Sequence, residues 1–270
     1  MTRLHKSIVK RLQHQETLLG GWGAIPSALS AEIMSRLGFD FVCIDMQHGL
    51  LDYQTALSLL QAVDVAGACP VVRVPCNDSA AIGKALDAGA LGIIVPMTNS
   101  AAEVEAVVRA ARYAPEGERS FGPMRAALVH GPEYALAANR DIAIFPMIET
   151  AEALDNLEAI ASVEGISGLF VGPYDLSLSL GLEPGNNDGT PEFDQALARV
   201  LEVCQRKGIA PGVMGNEQLA AMRARQGFRF VVVSTDVTAL ATALATALGK
   251  VRAELAGEEA VSADASKGVY

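Results

Sequence analysis

The chain has 270 residues, half of them hydrophobic, with 25 glycines and a formal net charge of −10. That length suits a single barrel domain of roughly 250 residues. The acidic balance argues against nucleic acid as a partner, because phosphate backbones need clustered Lys and Arg, and no run approaches the ~20 apolar residues of a membrane span.

The N-terminal stretch places Leu4, Ile8, Val9 and Leu12 among Lys and Arg, with His5 and His14 nearby. This predicts an amphipathic helix; no uncharged segment of the secretory type is present. Apolar runs then alternate with helical patterns. The predicted strands are Leu18–Ile25, Phe39–Ile44, Cys69–Val74, Gly92–Pro96, Ile142–Ile148, Gly165–Val171, Ala210–Met214 and Phe228–Ser234. Most are near-continuously apolar, as expected of parallel strands covered on both faces. The predicted helices include Tyr53–Ala66, Ser79–Ala88, Ser100–Ala111, Thr150–Ala161, Pro191–Lys207 and Glu217–Arg225, with a last one over Thr238–Leu255. That last segment repeats Ala-Leu-Ala-Thr-Ala-Leu and is apolar around much of its circumference, so it wants burial on more than one face.

Eight strand–helix units favour a closed (β/α)8 barrel, the TIM-barrel architecture, over an open doubly wound sheet. No G-x-G-x-x-G follows the first strand, so a dinucleotide fold has no support. The barrel is expected over residues 1–256 as one domain, and 257–270 reads as a loose polar tail. Two connections stand out. Tyr113 to Asp141 is long and rich in Gly, Pro and Arg, and connections beyond ~12–15 residues are usually functional or disordered. Glu183-Pro184-Gly185-Asn186-Asn187-Asp188-Gly189-Thr190 is a polar loop after the sixth strand. Cys43, Cys69, Cys76 and Cys204 show no C-x-x-C spacing and read as reduced core thiols of a cytoplasmic protein, with no disulfide framework.

The polar residues at strand ends carry the chemistry. In a barrel, the C-terminal ends of the strands build the active site. Ile44-Asp45-Met46-Gln47-His48-Gly49 ends strand two, Arg73 ends strand three, Glu149 ends strand five and Asp175 follows strand six. Glu149 and Asp175 suit a hard cation held by two carboxylates plus waters; alternatively each caps the helix behind it, as Asp175 can before Leu176-Ser177-Leu178. His48 can serve as a base whose tautomer is fixed by Asp45 three residues earlier, or as a structural histidine. Arg73 lies in a Val-rich run, where it must face a ligand or pair with Glu149, Asp45 or Asp87. None of Lys6, Lys10, Lys84, Lys207, Lys250 and Lys267 falls in a predicted strand, which argues against a Schiff-base mechanism. Met214-Gly215-Asn216 and Ser234-Thr235-Asp236, at the ends of strands seven and eight, form no Gly-rich phosphate cradle.

These motifs, with Val71-Val72-Arg73-Val74-Pro75, Val95-Pro96-Met97, Arg112-Tyr113-Ala114-Pro115, Gly117, Arg119, Ile148-Glu149-Thr150, Gly172-Pro173-Tyr174-Asp175-Leu176-Ser177 and the terminal Gly268-Val269-Tyr270, run over almost the whole chain. Together they resemble the metal-dependent (class II) pyruvate aldolases of the 4-hydroxy-2-oxoheptanedioate and 2-dehydro-3-deoxyglucarate type, the HpcH/HpaI aldolases. The resemblance implies a lyase that splits a 4-hydroxy-2-oxo acid into pyruvate, or a similar 2-oxo acid, and an aldehyde. It implies Glu149 and Asp175 as ligands of Mg²⁺, Mn²⁺ or Co²⁺. Arg73 would steady the enolate, and His48, oriented by Asp45, would be the acid/base acting through a metal-bound water. Asp87 would be a second carboxylate near that histidine, from the same or a neighbouring protomer. Trp22, Arg73, Tyr174 and Asp175 would contact substrate, the last two through backbone N–H groups at a helix start. A homo-oligomer, a hexamer with an exchanged C-terminal helix, is implied too. Gln47 and Met147 depart from the Glu and Gln that family members often carry. The alternatives are a citryl- or malyl-thioester C–C lyase of the same superfamily and a non-catalytic barrel that binds 2-oxo acids.

Overall fold

The computed structural model describes residues 7–265, with side chains for 7–256. Eight parallel strands close into a barrel in sequential order. They are β1 (Leu18–Gly23), β2 (Phe41–Asp45), β3 (Cys69–Arg73), β4 (Gly92–Val95), β5 (Ala143–Ile148), β6 (Gly168–Val171), β7 (Ala210–Val213) and β8 (Phe230–Thr235). The helices of the first half are α1 (Val9–Gln13), α2 (Ala28–Arg36), α3 (Tyr53–Ala66), α4 (Ser79–Asp87) and α5 (Ala101–Ala111). Between β4 and β5 follow α6 (Met124–His130) and α7 (Tyr134–Asp141). The second half carries α8 (Ala151–Asp155), α9 (Leu157–Ala161), α10 (Pro173–Ser179), α11 (Pro191–Lys207), α12 (Ala220–Gln226) and α13 (Asp236–Ala265).

Local chemistry sets these bounds. Asp52, Asp78 and Ser100 cap α3, α4 and α5 by accepting the N–H of Thr55, Ala81 and Glu103, which satisfies an otherwise orphaned donor of each first turn. β1 stops at Gly23, before the predicted Ile25. The N–H groups of Ala24 and Ile25 donate to the Asp236 carboxylate at 3.0 and 3.1 Å instead of to a strand. The helix expected over Thr150–Ala161 is broken at Asn156, where ψ opens to 7°.

The lumen is filled by aromatic rings. Phe41 and Phe145 stack on Phe230 with centroids 3.8 and 4.5 Å away. Gly20 makes room for this layer, since a Cβ there would fall 2.0 Å from the Phe41 ring. Ile8, Val9 and Leu12 of α1 join the same apolar cluster and close the N-terminal end of the barrel. Two further clusters lie between the strands and the outer helices.

The long connection after α5 is packed rather than loose, with two helices of its own. Its Arg119 is buried, lies 4.4 Å from the Tyr113 ring centroid and 5.6 Å from that of Tyr134, and pairs with Asp87 at 2.6 Å. Helix α13 is continuous beyond Gly257 to Ala265, into the segment expected to be a tail; residues 266–270, and with them the Gly268-Val269-Tyr270 motif, lie outside the described residues, as do Leu4, His5, Lys6 and Lys267. Leu240, Leu244, Leu248, Val251 and Leu255 of α13 are all more than half exposed and recur every three or four residues. They therefore form one apolar stripe.

Candidate active site

The strand ends meet at one mouth. A cavity of about 800 Å³ opens there, lined by Trp22, Asp45, His48, Arg73, Met147, Glu149, Tyr174 and Asp175 among others. Seven of the eight expected site residues are thus brought together. The eighth, Asp87, ends α4 at the opposite end of the barrel, where it pairs with Arg119. It is not near His48 of its own chain, which removes the same-protomer option.

Asp45 and Arg73 are register partners across β2 and β3, so both side chains leave the barrel at the same height. The Arg73 Nε and Nη2 donate to the two Asp45 oxygens at 2.8 and 2.6 Å. Such a fork fixes the guanidinium plane. The group also lies over the Trp22 ring, 4.9 Å from its centroid. Trp22 Nε1 donates to Asp45 Oδ2 at 3.2 Å. Nη1 of Arg73 has no hydrogen-bond partner among the described residues. Burial works against the Asp45 charge, but Arg73, then Trp22 and the His48 N–H, more than offset it and hold the carboxyl below its usual range.

This corrects one expectation. Asp45 does not orient the His48 ring. Its Oδ1 accepts the backbone N–H groups of Gln47 and His48 at 3.1 and 3.2 Å, and its remaining capacity goes to Arg73 and Trp22. Asp45 shapes the turn that carries His48 and aims Arg73, while the exposed imidazole has no protein hydrogen bond among the described residues.

Glu149 is 1% exposed. Its Oε1 accepts the N–H of Met97 at 2.7 Å, and its Oε2 has no protein partner among the described residues. Met97 has φ +53°, a left-handed conformation uncommon for a side chain of this size, and that twist accompanies an N–H turned toward the carboxylate. Burial pushes the Glu149 carboxyl up, to about 7; the Met97 N–H opposes this, Asp175 adds to it and Arg73 opposes it. Two carboxylates in such surroundings are short of positive charge. Among the described residues no group of three or more His, Cys, Asp or Glu is gathered for a metal. The donor set is a carboxylate pair, which fits a hard cation that keeps several waters. Gly172 lets the chain pass close to Glu149, since a Cβ there would fall 2.5 Å from Oε2. Gly172→Ala is therefore expected to weaken divalent-cation affinity by roughly 10–100-fold, the usual scale for displacing a ligand's support. Calorimetric titration with Mn²⁺ checks this, and an unchanged affinity would place the cation away from Oε2.

Tyr174 and Asp175 open α10 behind Pro173. Their N–H groups fall in the first turn and have no intrahelical acceptor.

The model of the HpcH/HpaI aldolase/citrate lyase family matches residues 19–243. The chain belongs to this family. It is 41% identical over 236 residues to a hydroxypyruvate/pyruvate aldolase of Rhizorhabdus wittichii, covering 87% of this chain and 94% of that protein. It is 39% identical over 227 residues to a 4-hydroxy-2-oxo-heptane-1,7-dioate aldolase of Klebsiella pneumoniae, covering 83% and 85%. A crystal structure of an HpcH/HpaI family protein from Burkholderia cenocepacia superposes with a TM-score of 0.85 at 35% identity, covering 92% and 99%.

As an HpcH/HpaI family member, the chain carries one of its two departures, Met147, at the cavity. Met147 turns its methyl group toward Gly172, beside Glu149. Gln47 Oε1 is buried without a hydrogen-bond partner among the described residues. Sequence reasoning missed the Met97 N–H, which only the backbone twist reveals. It also missed Asn186, Met214, Asn216, Gln218, Thr238 and Thr242 of the cavity wall. The polar loop 183–190 was a signal for Asn186, as the end of the seventh strand was for Met214 and Asn216.

Proposed function

We propose that this HpcH/HpaI family enzyme is a divalent-metal-dependent pyruvate aldolase, cleaving a 4-hydroxy-2-oxo acid to pyruvate, or a similar 2-oxo acid, and an aldehyde. The observation that carries the reading is the pairing of an ionisation-averse Glu149 with Asp175 beside the free Nη1 of Arg73. A divalent cation (Mg²⁺, Mn²⁺ or Co²⁺) held by Glu149 and Asp175 would supply Lewis-acid polarisation of the 2-oxo group. The substrate carboxylate meets the first-turn N–H groups of Tyr174 and Asp175. Arg73 Nη1 donates to the 2-oxo oxygen, where negative charge gathers in the transition state. His48 accepts the 4-hydroxyl proton. The C3–C4 bond then breaks, its electron pair forms the C2=C3 bond of the enolate, and the 4-carbon leaves as the aldehyde. Protonation at C3 gives pyruvate. Trp22 holds the Asp45–Arg73 fork in place throughout. Asp87 acts, in this reading, on the site of a neighbouring copy.

Chelation by EDTA is expected to abolish activity, and added Mn²⁺ to restore it, while borohydride with pyruvate leaves it intact. Lys10, Lys84, Lys207 and Lys250 all lie away from the cavity wall. A lysine adduct trapped by borohydride would overturn the mechanism.

Assembly follows from the bare stripe on α13. Five large apolar residues on one helix face call for cover, and a second copy, within a hexamer exchanging this helix, is the cover proposed. Truncation before Thr238 keeps the Asp236 contacts to β1 and should leave a monomer or an aggregate. Light scattering that finds the full chain at 28.3 kDa at micromolar concentration would refute the assembly.

A further inference from the structure

The loop that follows α10 is not idle. Asn186 lines the same cavity as Glu149, Asp175, His48 and Arg73, yet no step of the cleavage uses it. The loop is fastened from two sides. From α12, the wholly buried Arg223 places Nη1 2.8 Å from Asp188 Oδ1 and Nη2 2.9 Å from Oδ2. From α10, the buried Ser177 hydroxyl donates to the Gly185 carbonyl at 2.9 Å and accepts the Asn187 amide at 2.8 Å. Ser177 lies two residues beyond Asp175, so the loop and the carboxylate pair share one rigid support.

Arg223 also reaches Asn186. Its Nη2 donates to Asn186 Oδ1 at 3.4 Å, while Nη1 donates to Gln226 at 3.0 Å. A guanidinium has only donors, so it can face only the oxygen of the amide. That settles which way the amide is turned. The Nδ2 group is directed away from Arg223, and no described residue accepts from it. Burying a guanidinium is expensive unless its geometry is used, and here Nε has no hydrogen-bond partner among the described residues. An apolar residue would fill the inner face of α12 more cheaply; what only Arg223 supplies is the set of the loop.

We propose that Asn186 is a specificity-determining residue that donates to an acceptor oxygen on the aldehyde fragment, and that Arg223 is the positioning residue that aims it. The proposal rests on the aldolase reading above. The fork with Asp188 neutralises Arg223; Asn216, Gln218, Thr238 and Thr242 of the cavity lining are uncharged, and Glu217 beside them is acidic and would repel a carboxylate. The matching ligand oxygen is therefore the hydroxyl of a hydroxyaldehyde in preference to a carboxylate.

The test compares aldol addition of pyruvate to glyceraldehyde, glyoxylate and propionaldehyde, alongside C3 proton exchange of pyruvate with no aldehyde present. Asn186→Ala is expected to lower kcat/KM for glyceraldehyde roughly tenfold, the scale of one hydrogen bond, through KM. Propionaldehyde addition and proton exchange should be unchanged. Arg223→Met should reproduce that selective loss, and Asp188→Asn, which loosens the fork with less disturbance, gives the same reading should the Arg223 variant fail to fold. A selective loss for glyoxylate alone would overturn the hydroxyl assignment. Equal losses for glyceraldehyde and propionaldehyde, or none, would overturn the role of Asn186 while leaving the aldolase standing. Wild-type protein that adds none of the three aldehydes would sink the aldolase reading itself, and this inference with it.

Discussion

Glu149→Gln is expected to abolish divalent-cation binding and turnover while making the metal-free protein more stable above pH 7. The carboxyl has an ordinary value of 4.5 and is pushed to about 7 in the fold by burial, with Asp175 adding to the shift. The folded state thus holds this proton more tightly than the unfolded chain does. Its contribution to stability is fully present below pH 4.5 and is lost as pH rises through 7. A shift of this size corresponds to roughly 3 kcal/mol. Glutamine keeps the oxygen that accepts the Met97 N–H and carries no charge at any pH, so the variant escapes that loss. Melting temperatures across pH 5–8, with chelator present, check the stability arm. A variant destabilised equally at both ends would make Glu149 a structural carboxylate. The same linkage requires wild-type cation affinity to fall as pH drops below about 7, because the proton and the cation compete for one carboxylate.

His48→Ala is expected to slow both aldol cleavage and pyruvate C3 proton exchange by about 10²–10⁴-fold, the range for a positioned general base. The exposed ring leaves little to lose in stability, so the melting temperature should hold. Asp45→Asn should behave differently from a mere weakening of His48. It breaks the fork that holds Arg73, and its kinetic cost should overlap that of Arg73→Lys, which keeps the charge but not the planar donor pair. The double variant should then lose little more than either single one, as expected of groups that act as a unit. Unchanged proton exchange in the His48 variant would move the base elsewhere. Additive losses for Asp45 and Arg73 would separate the two.

Most of the barrel was legible in the sequence because parallel strands buried on both faces are nearly uninterrupted apolar runs. α3 and α11 keep their predicted limits because an Asp or a Pro starts them and a glycine ends them. The strand ends drifted by a residue or three, and at the end of β1 the reason is the Asp236 carboxylate, which takes the N–H groups of Ala24 and Ile25. The strand-end carboxylates, Arg73 and His48 were legible for the same reason: polar groups at the close of apolar runs. The partner of Asp45 was not. Sequence proximity favours His48 three residues on, whereas barrel register sets Asp45 beside Arg73, 28 residues away. The contributions of Met97 and Asn186 were hidden as well, one resting on a backbone twist and the other on a contact from a buried arginine beyond the next strand.

The packed aromatic layer and α1 close the barrel from below, so the cavity has its doorway at one end. Traffic through a single doorway is sequential. Glu149 and Arg73 are almost wholly covered, whereas Asn186 is half-buried and Thr238 and Thr242 are exposed. The expected outcome in the synthetic direction is entry of the 2-oxo acid before the aldehyde, and in cleavage departure of the aldehyde first, which product-inhibition patterns check. The rate law is then one of compulsory order, in which a crowd of aldehyde at the mouth delays the very acid it is meant to meet.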